Sequence, residues 1–147
     1  MAVVRIIIGL IGAVIAGYLL SAAFLTVQTL SAYPGFDLTP AAFAGTYGMN
    51  VTGLATSSPF IAILAVCFSV AFAIAAILKR ILKPLAPVAY VIGGAAALPA
   101  LFFLVENIML GGGVGAFFGA RDAADLALQA FAGAAGGLVF TLIAVRK

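Results

Sequence analysis

The chain has 147 residues, of which 66% are hydrophobic and 7% charged, and its mean hydropathy is +1.34. A soluble globular domain carries about 25% charged residues, and a chain this short has too little interior to hide so much apolar surface, so a water-soluble fold is excluded and lipid must cover most of the molecule. The formal net charge of +3 comes from seven basic and four acidic residues, and the cations are too scattered to form the continuous stripe that nucleic acid requires.

The first apolar run, "VVRIIIGLIGAVIAGYLLSAAFLTVQ", predicts a membrane span over about residues 3–28. It is longer than the hydrophobic region of a signal peptide, so it is read as a retained helix. A connection of about 30 residues follows, at about 29–58, long enough to carry structure of its own. Within it "DLTPAAFAG" predicts a short helix, with Thr39 as cap, Pro40 in the first turn and Gly45 as terminator. The aromatics Tyr33, Phe36, Phe43 and Tyr47 are expected at the membrane surface, with contact against another protein as the alternative. Asn50-Val51-Thr52 matches a glycosylation acceptor, to which no role is given.

The second span is expected at about 59–78, opened by Pro59 and stopped by "KRILKP". The third covers about 85–110 and contains Pro99, which predicts a kink near 95–99 because proline lacks the backbone N–H of a regular helix. Glu106 falls about one turn inside the end of this run, where desolvation penalises its charge; Arg121 is its expected partner. The two form either a proton or cation site or a structural ion pair. A glycine run then ends the helix. Asp122 is expected to cap the fourth span, at about 123–145, with Asp125 in its first turn, where the helix dipole favours a carboxylate. The G-x-G-x-x-A spacing at 111–116 lacks the preceding strand of a dinucleotide-binding loop and is set aside.

The expected fold is therefore an all-α integral membrane protein, a single four-helix transmembrane domain over 1–147. Arg5, Lys79, Arg80, Lys83, Arg146 and Lys147 fall on one side, and Asp37, Glu106, Arg121, Asp122 and Asp125 on the other. The positive-inside rule makes the first side, with both termini, cytoplasmic, and the expected location is a bacterial inner membrane.

Small residues recur every four positions: Gly9, Ala13, Gly17 and Ser21; Ala65, Ser69 and Ala73; Ala89, Gly93 and Ala97; Gly133 and Gly137. Such faces let helix backbones approach closely in lipid. They serve either the bundle itself or contact with other membrane subunits or a second copy. The chain has no histidine and one cysteine, Cys67, which excludes imidazole ligation, the common catalytic triads and an internal disulfide. No catalytic site, metal or cofactor is expected. The function expected is a non-catalytic accessory or assembly subunit of a larger membrane complex. The alternative is a small homo-oligomeric transporter or channel coupled through Glu106.

Overall fold

Without water to satisfy backbone N–H and C=O groups, a segment crosses lipid either as a helix that bonds to itself or as a strand of a closed barrel, and nearly all of the described residues of this protein are helical. The computed structural model describes residues 2–32, 39–56, 59–81, 88–109, 111 and 123–145. They form α1 (Ala2–Ala32), α2 (Pro40–Thr56), α3 (Phe60–Ile81), α4 (Ala89–Leu104) continued by a π-helical turn at Val105–Met109, and α5 (Ala123–Phe140) continued by a second at Thr141–Val145. Four of these helical segments, Val3–Ala32, Phe60–Ile81, Ala89–Ile108 and Ala123–Val145, are long and apolar enough to span a membrane, so the protein is a multi-pass membrane protein. Asp37, Lys83, Arg121, Asp122, Arg146, Lys147, Tyr33 and Phe36 lie outside the described residues, as does all but Gly111 of the 111–116 segment.

The four long helices alternate in direction. Gly9 near the start of α1 meets Ala144 at the end of α5, while Gln28 near the end of α1 meets Asp125 near the start of α5. Lys79 at the end of α3 meets Tyr90 at the start of α4, and Phe60 at the start of α3 meets Phe102 near the end of α4. α5 packs along α4 and α1, α4 along α3, and α3 closes more sparingly on α1.

The closest crossing is between α4 and α5. A Cβ on Gly94 would fall on the carbonyl oxygen of Gly133, one on Gly133 on that of Gly94, and one on Gly137 on that of Tyr90. Only glycine permits this approach. Gly93, one residue along, faces α3 instead, where a Cβ would stand 3.2 Å from the Ala71 carbonyl. In α1, Gly9 faces Ala144 and Phe140.

The centre of the bundle is aromatic. Phe60, Leu64, Phe68, Phe72 and Ala75 form the buried face of α3, at the three- and four-residue spacing of one helical side. The Phe68 ring, 0% exposed, wedges between α1 and α5: a Cβ on Gly17 or on Gly136 would stand 2.8 Å from its Cζ. Phe72 stacks on Phe68 at 5.3 Å and meets Phe140 at 4.3 Å. Ile61, Val66, Val70, Ile74 and Ile77 cover the outward side of α3, and Ile7, Ile8, Ile11 and Ile15 that of α1. Small residues and aromatic rings fill the contacts between α1, α3 and α5, while isoleucines and valines cover the outward sides of α1 and α3, as expected where lipid, and not water, bathes the surface.

Two expected helix ends need correction. The helix in the first connection does not end at Gly45 but continues through Gly48 and Gly53 to Thr56. Tertiary contact outweighs the low helix propensity of glycine: Tyr47, Asn50 and Val51, on one side of α2, all bond to α1 or to its side chains. Thr39 does cap the helix, its Oγ1 accepting from the Ala42 N–H at 3.2 Å. α1 also runs beyond residue 28 to Ala32, because the hydroxyls of Thr29 and Ser31 bond back to the carbonyls of Leu25 and Val27 and carry their polarity within the helix. α4 remains α-helical through Pro99, and the departure from regular geometry comes at Val105–Met109.

Candidate functional site

Polar side chains gather along one seam, where the second half of α1 faces the first half of α5. On α1, Ser21 and Gln28 are two turns apart; on α5, Asp125 and Gln129 are one turn apart, so each pair shares a face. The Ser21 hydroxyl donates to Gln129 Oε1 at 2.6 Å, with both residues 0% exposed. Gln28 Nε2 donates to Asp125 Oδ1 at 2.9 Å.

α2 extends this network from the side. Asn50 Nδ2 donates to Thr26 Oγ1 at 2.9 Å, while Thr26 donates to the Ala22 carbonyl at 2.8 Å. The Tyr18 hydroxyl donates to the Val51 carbonyl, and the Tyr47 hydroxyl to the Leu19 carbonyl at 3.2 Å. At the lipid-facing edge Phe131 meets Phe24 edge-on at 6.3 Å.

Two buried polar atoms in the seam, Gln28 Oε1, an acceptor, and Gln129 Nε2, a donor, have no partner among the described residues. Rotating the Gln129 amide would only exchange one orphan for the other, because Ser21 offers a single hydroxyl. An unpaired buried amide group costs about 1–3 kcal/mol, a penalty that a water or another small neutral polar group bridging to it would relieve. The arrangement can bind a small polar group. Among the described residues no three His, Cys, Asp or Glu groups come together for a metal.

Glu106 lies elsewhere, half-buried in the π-helical turn that ends α4. With Pro99, Phe103, Asn107 and Leu126 it lines an open cleft of about 560 Å³. Its expected partner Arg121 and the expected cap Asp122 lie outside the described residues. Asp125 takes the third position of α5, where the dipole argument puts it, and also reaches across to α1. Gly9, Ala13, Gly17 and Ser21 face the bundle interior, as do Gly133 and Gly137, and Gly93 faces α3.

In the sequence, Ser21, Gln28 and Gln129 look like isolated polar groups that neighbours satisfy, and nothing local says that they meet their partners across one seam. The seven-residue spacing on α1 and the four-residue spacing on α5 are the available signal. Gly94 and Gly136 escape as contacts because the four-residue pattern passes one position to the side of each. No protein-family model matches this chain, and no curated protein or solved structure matches it either.

Proposed function

We propose that this protein is a non-catalytic accessory or assembly subunit of a larger complex in a bacterial inner membrane, with both termini on the cytoplasmic side. The observation that carries the reading is α2. Hydrogen bonds at three of its residues, donated by Tyr47 and Asn50 and accepted by the Val51 carbonyl from Tyr18, hold it against α1, yet it buries none of its residues and leaves Met49 74% exposed. A helix fixed in place with one open side is suited to receive a partner, and methionine suits an adaptable contact. The small-residue faces of α1, α4 and α5 are occupied within the bundle, whereas Ser69 and Ala73 of the α3 face are exposed, so the open sides that could receive a partner are those of α2 and α3. Orientation follows from the basic end, where Arg5, Lys79 and Arg80 lie.

Gentle detergent extraction followed by native mass analysis tests this directly. Other subunits should accompany the chain, and Met49→Glu should release them without changing the thermal stability of the bundle. A homo-oligomer alone would refute it.

The buried seam with its unpaired amides, together with the Glu106 cleft, favours a second reading: a small homo-oligomeric transporter or channel in which Glu106 binds a proton or cation. Full activity of a Glu106→Gln variant of the parent assembly would eliminate that coupling role.

A further inference from the structure

The end of the bundle remote from the polar seam carries a second opening. Where α3 closes only sparingly on α1, a cleft of about 480 Å³ is lined by Ile6, Leu10, Phe72, Ala76, Tyr90 and Lys79. That volume is in the range of sites that hold a small amphiphile. Its floor is firm, because Phe72, Tyr90 and Phe140 pack on one another at centroid distances of 4.3–5.9 Å. Of the two hydroxyls on its wall, that of Ser69 is turned back to the Ala65 carbonyl of its own helix and the other belongs to Tyr90, whose ring lies beside Lys79 at the mouth, so the rest of the slot offers an apolar lining.

The mouth is basic. Lys79 sits in the last turn of α3 beside Arg80, and Arg5 precedes the cleft residue Ile6 in α1. The Lys79 ammonium stands 4.8 Å from the centroid of the Tyr90 ring, a cation–π distance that holds the charge at the rim. An apolar slot between two membrane-spanning helices, with a fixed cation where one of them ends, is complementary to a molecule that has a hydrocarbon tail and a negative head.

We infer that this cleft binds an anionic phospholipid of the surrounding bilayer, with one acyl chain between α1 and α3 and its phosphodiester at Lys79. The slot alone would accept the chain of any lipid, and the charge at the mouth supplies the selection. The assignment rests on the membrane-spanning fold and is independent of the proposed subunit role.

The test is native mass spectrometry of the full chain released from detergent, with phosphatidylglycerol or phosphatidylcholine of identical chains added. The expected result is one phosphatidylglycerol retained per chain in preference to phosphatidylcholine. Lys79→Gln should weaken phosphatidylglycerol about fivefold, the effect of one basic residue at a membrane surface, and leave phosphatidylcholine unchanged. Lys79→Arg should keep the preference. Equal retention of the two lipids by the unaltered protein, or undiminished phosphatidylglycerol binding by Lys79→Gln, would overturn the inference. Salt provides a check that needs no variant. Raising ammonium acetate from about 0.02 to about 0.5 M should shrink the preference by screening, and a preference that survives unchanged would remove Lys79 from the site.

Discussion

A single methyl group placed at the α4–α5 crossing should separate two helices, while the same methyl placed on α2 should strengthen one. In Gly94→Ala the new Cβ would clash with the Gly133 carbonyl oxygen and stand 3.0 Å from the Gly137 nitrogen. These are backbone atoms that no rotamer change can move aside. Restoring ordinary contact requires the helices to part by about 1 Å, a gap that already forfeits a large fraction of the dispersion energy along the seam. The expected loss is about 3 kcal/mol, the upper part of the range for overpacked cores, or roughly a hundredfold in the folding equilibrium. In Gly48→Ala the added Cβ meets nothing within 4 Å, so only the gain in helix propensity remains, about 0.5–1 kcal/mol in favour of folding. The midpoint on titrating SDS into a mild detergent, read by near-ultraviolet circular dichroism of the buried aromatic cluster, measures both. A Gly94→Ala protein that unfolds at the unaltered midpoint, or at the same midpoint as Gly48→Ala, would refute the account of that crossing.

Three further outcomes follow from the geometry. Ser21→Ala strands both polar ends of the Gln129 amide and should cost about 1–2 kcal/mol, whereas Ser21→Ala with Gln129→Leu should recover most of that loss in the same SDS titration; a double variant weaker than the single would show that the amide has another partner. Thr39→Ala removes the cap of α2 and should cost that helix about 1 kcal/mol, seen as faster hydrogen exchange confined to Pro40–Thr56, with uniform loss of protection arguing against a local cap. With Cys67 replaced by serine, thiol reagents should reach Thr56→Cys and Ile81→Cys from opposite sides of a sealed vesicle, because the 22 residues of α3 extend about 33 Å; labelling from one side would remove α3 as a span.

The four spans are legible in the sequence because hydrocarbon demands about 20 apolar residues and permits little else. Expected limits at 59–78 and 123–145 meet observed helices at Phe60–Ile81 and Ala123–Val145. What the pattern does not reveal is which surfaces touch. A four-residue period says that Gly9, Ala13 and Gly17 share a side, but not that α5 lies against it, nor that Phe68, unremarkable in the sequence, fills the notch between Gly17 and Gly136. Gly94 reads as a loosening element beside Pro99, since glycine in isolation signals flexibility, and only the neighbouring backbone turns it into a contact. The expected end of α2 falls short for the same reason: Gly45 looks like a stop until the hydrogen bonds that Tyr47 and Asn50 donate to α1, and that the Val51 carbonyl accepts from Tyr18, are seen. The polar seam stays hidden because its two halves are separated by about a hundred residues of chain.

The mismatch between α1 and α3 has a mechanical consequence. At about 1.5 Å per residue, the 31 residues of α1 make a rod about 46 Å long beside the 33 Å of α3, against about 30 Å of hydrocarbon. α3 therefore fixes the bilayer thickness in which the bundle sits level, and the surplus of α1 must lean or project. α2 is fastened to α1 between Tyr18 and Thr26 and α1 in turn packs along α5 from Gly9 to Gln28, so a change of lipid thickness that tilts α1 carries α2 and the α4–α5 pair with it.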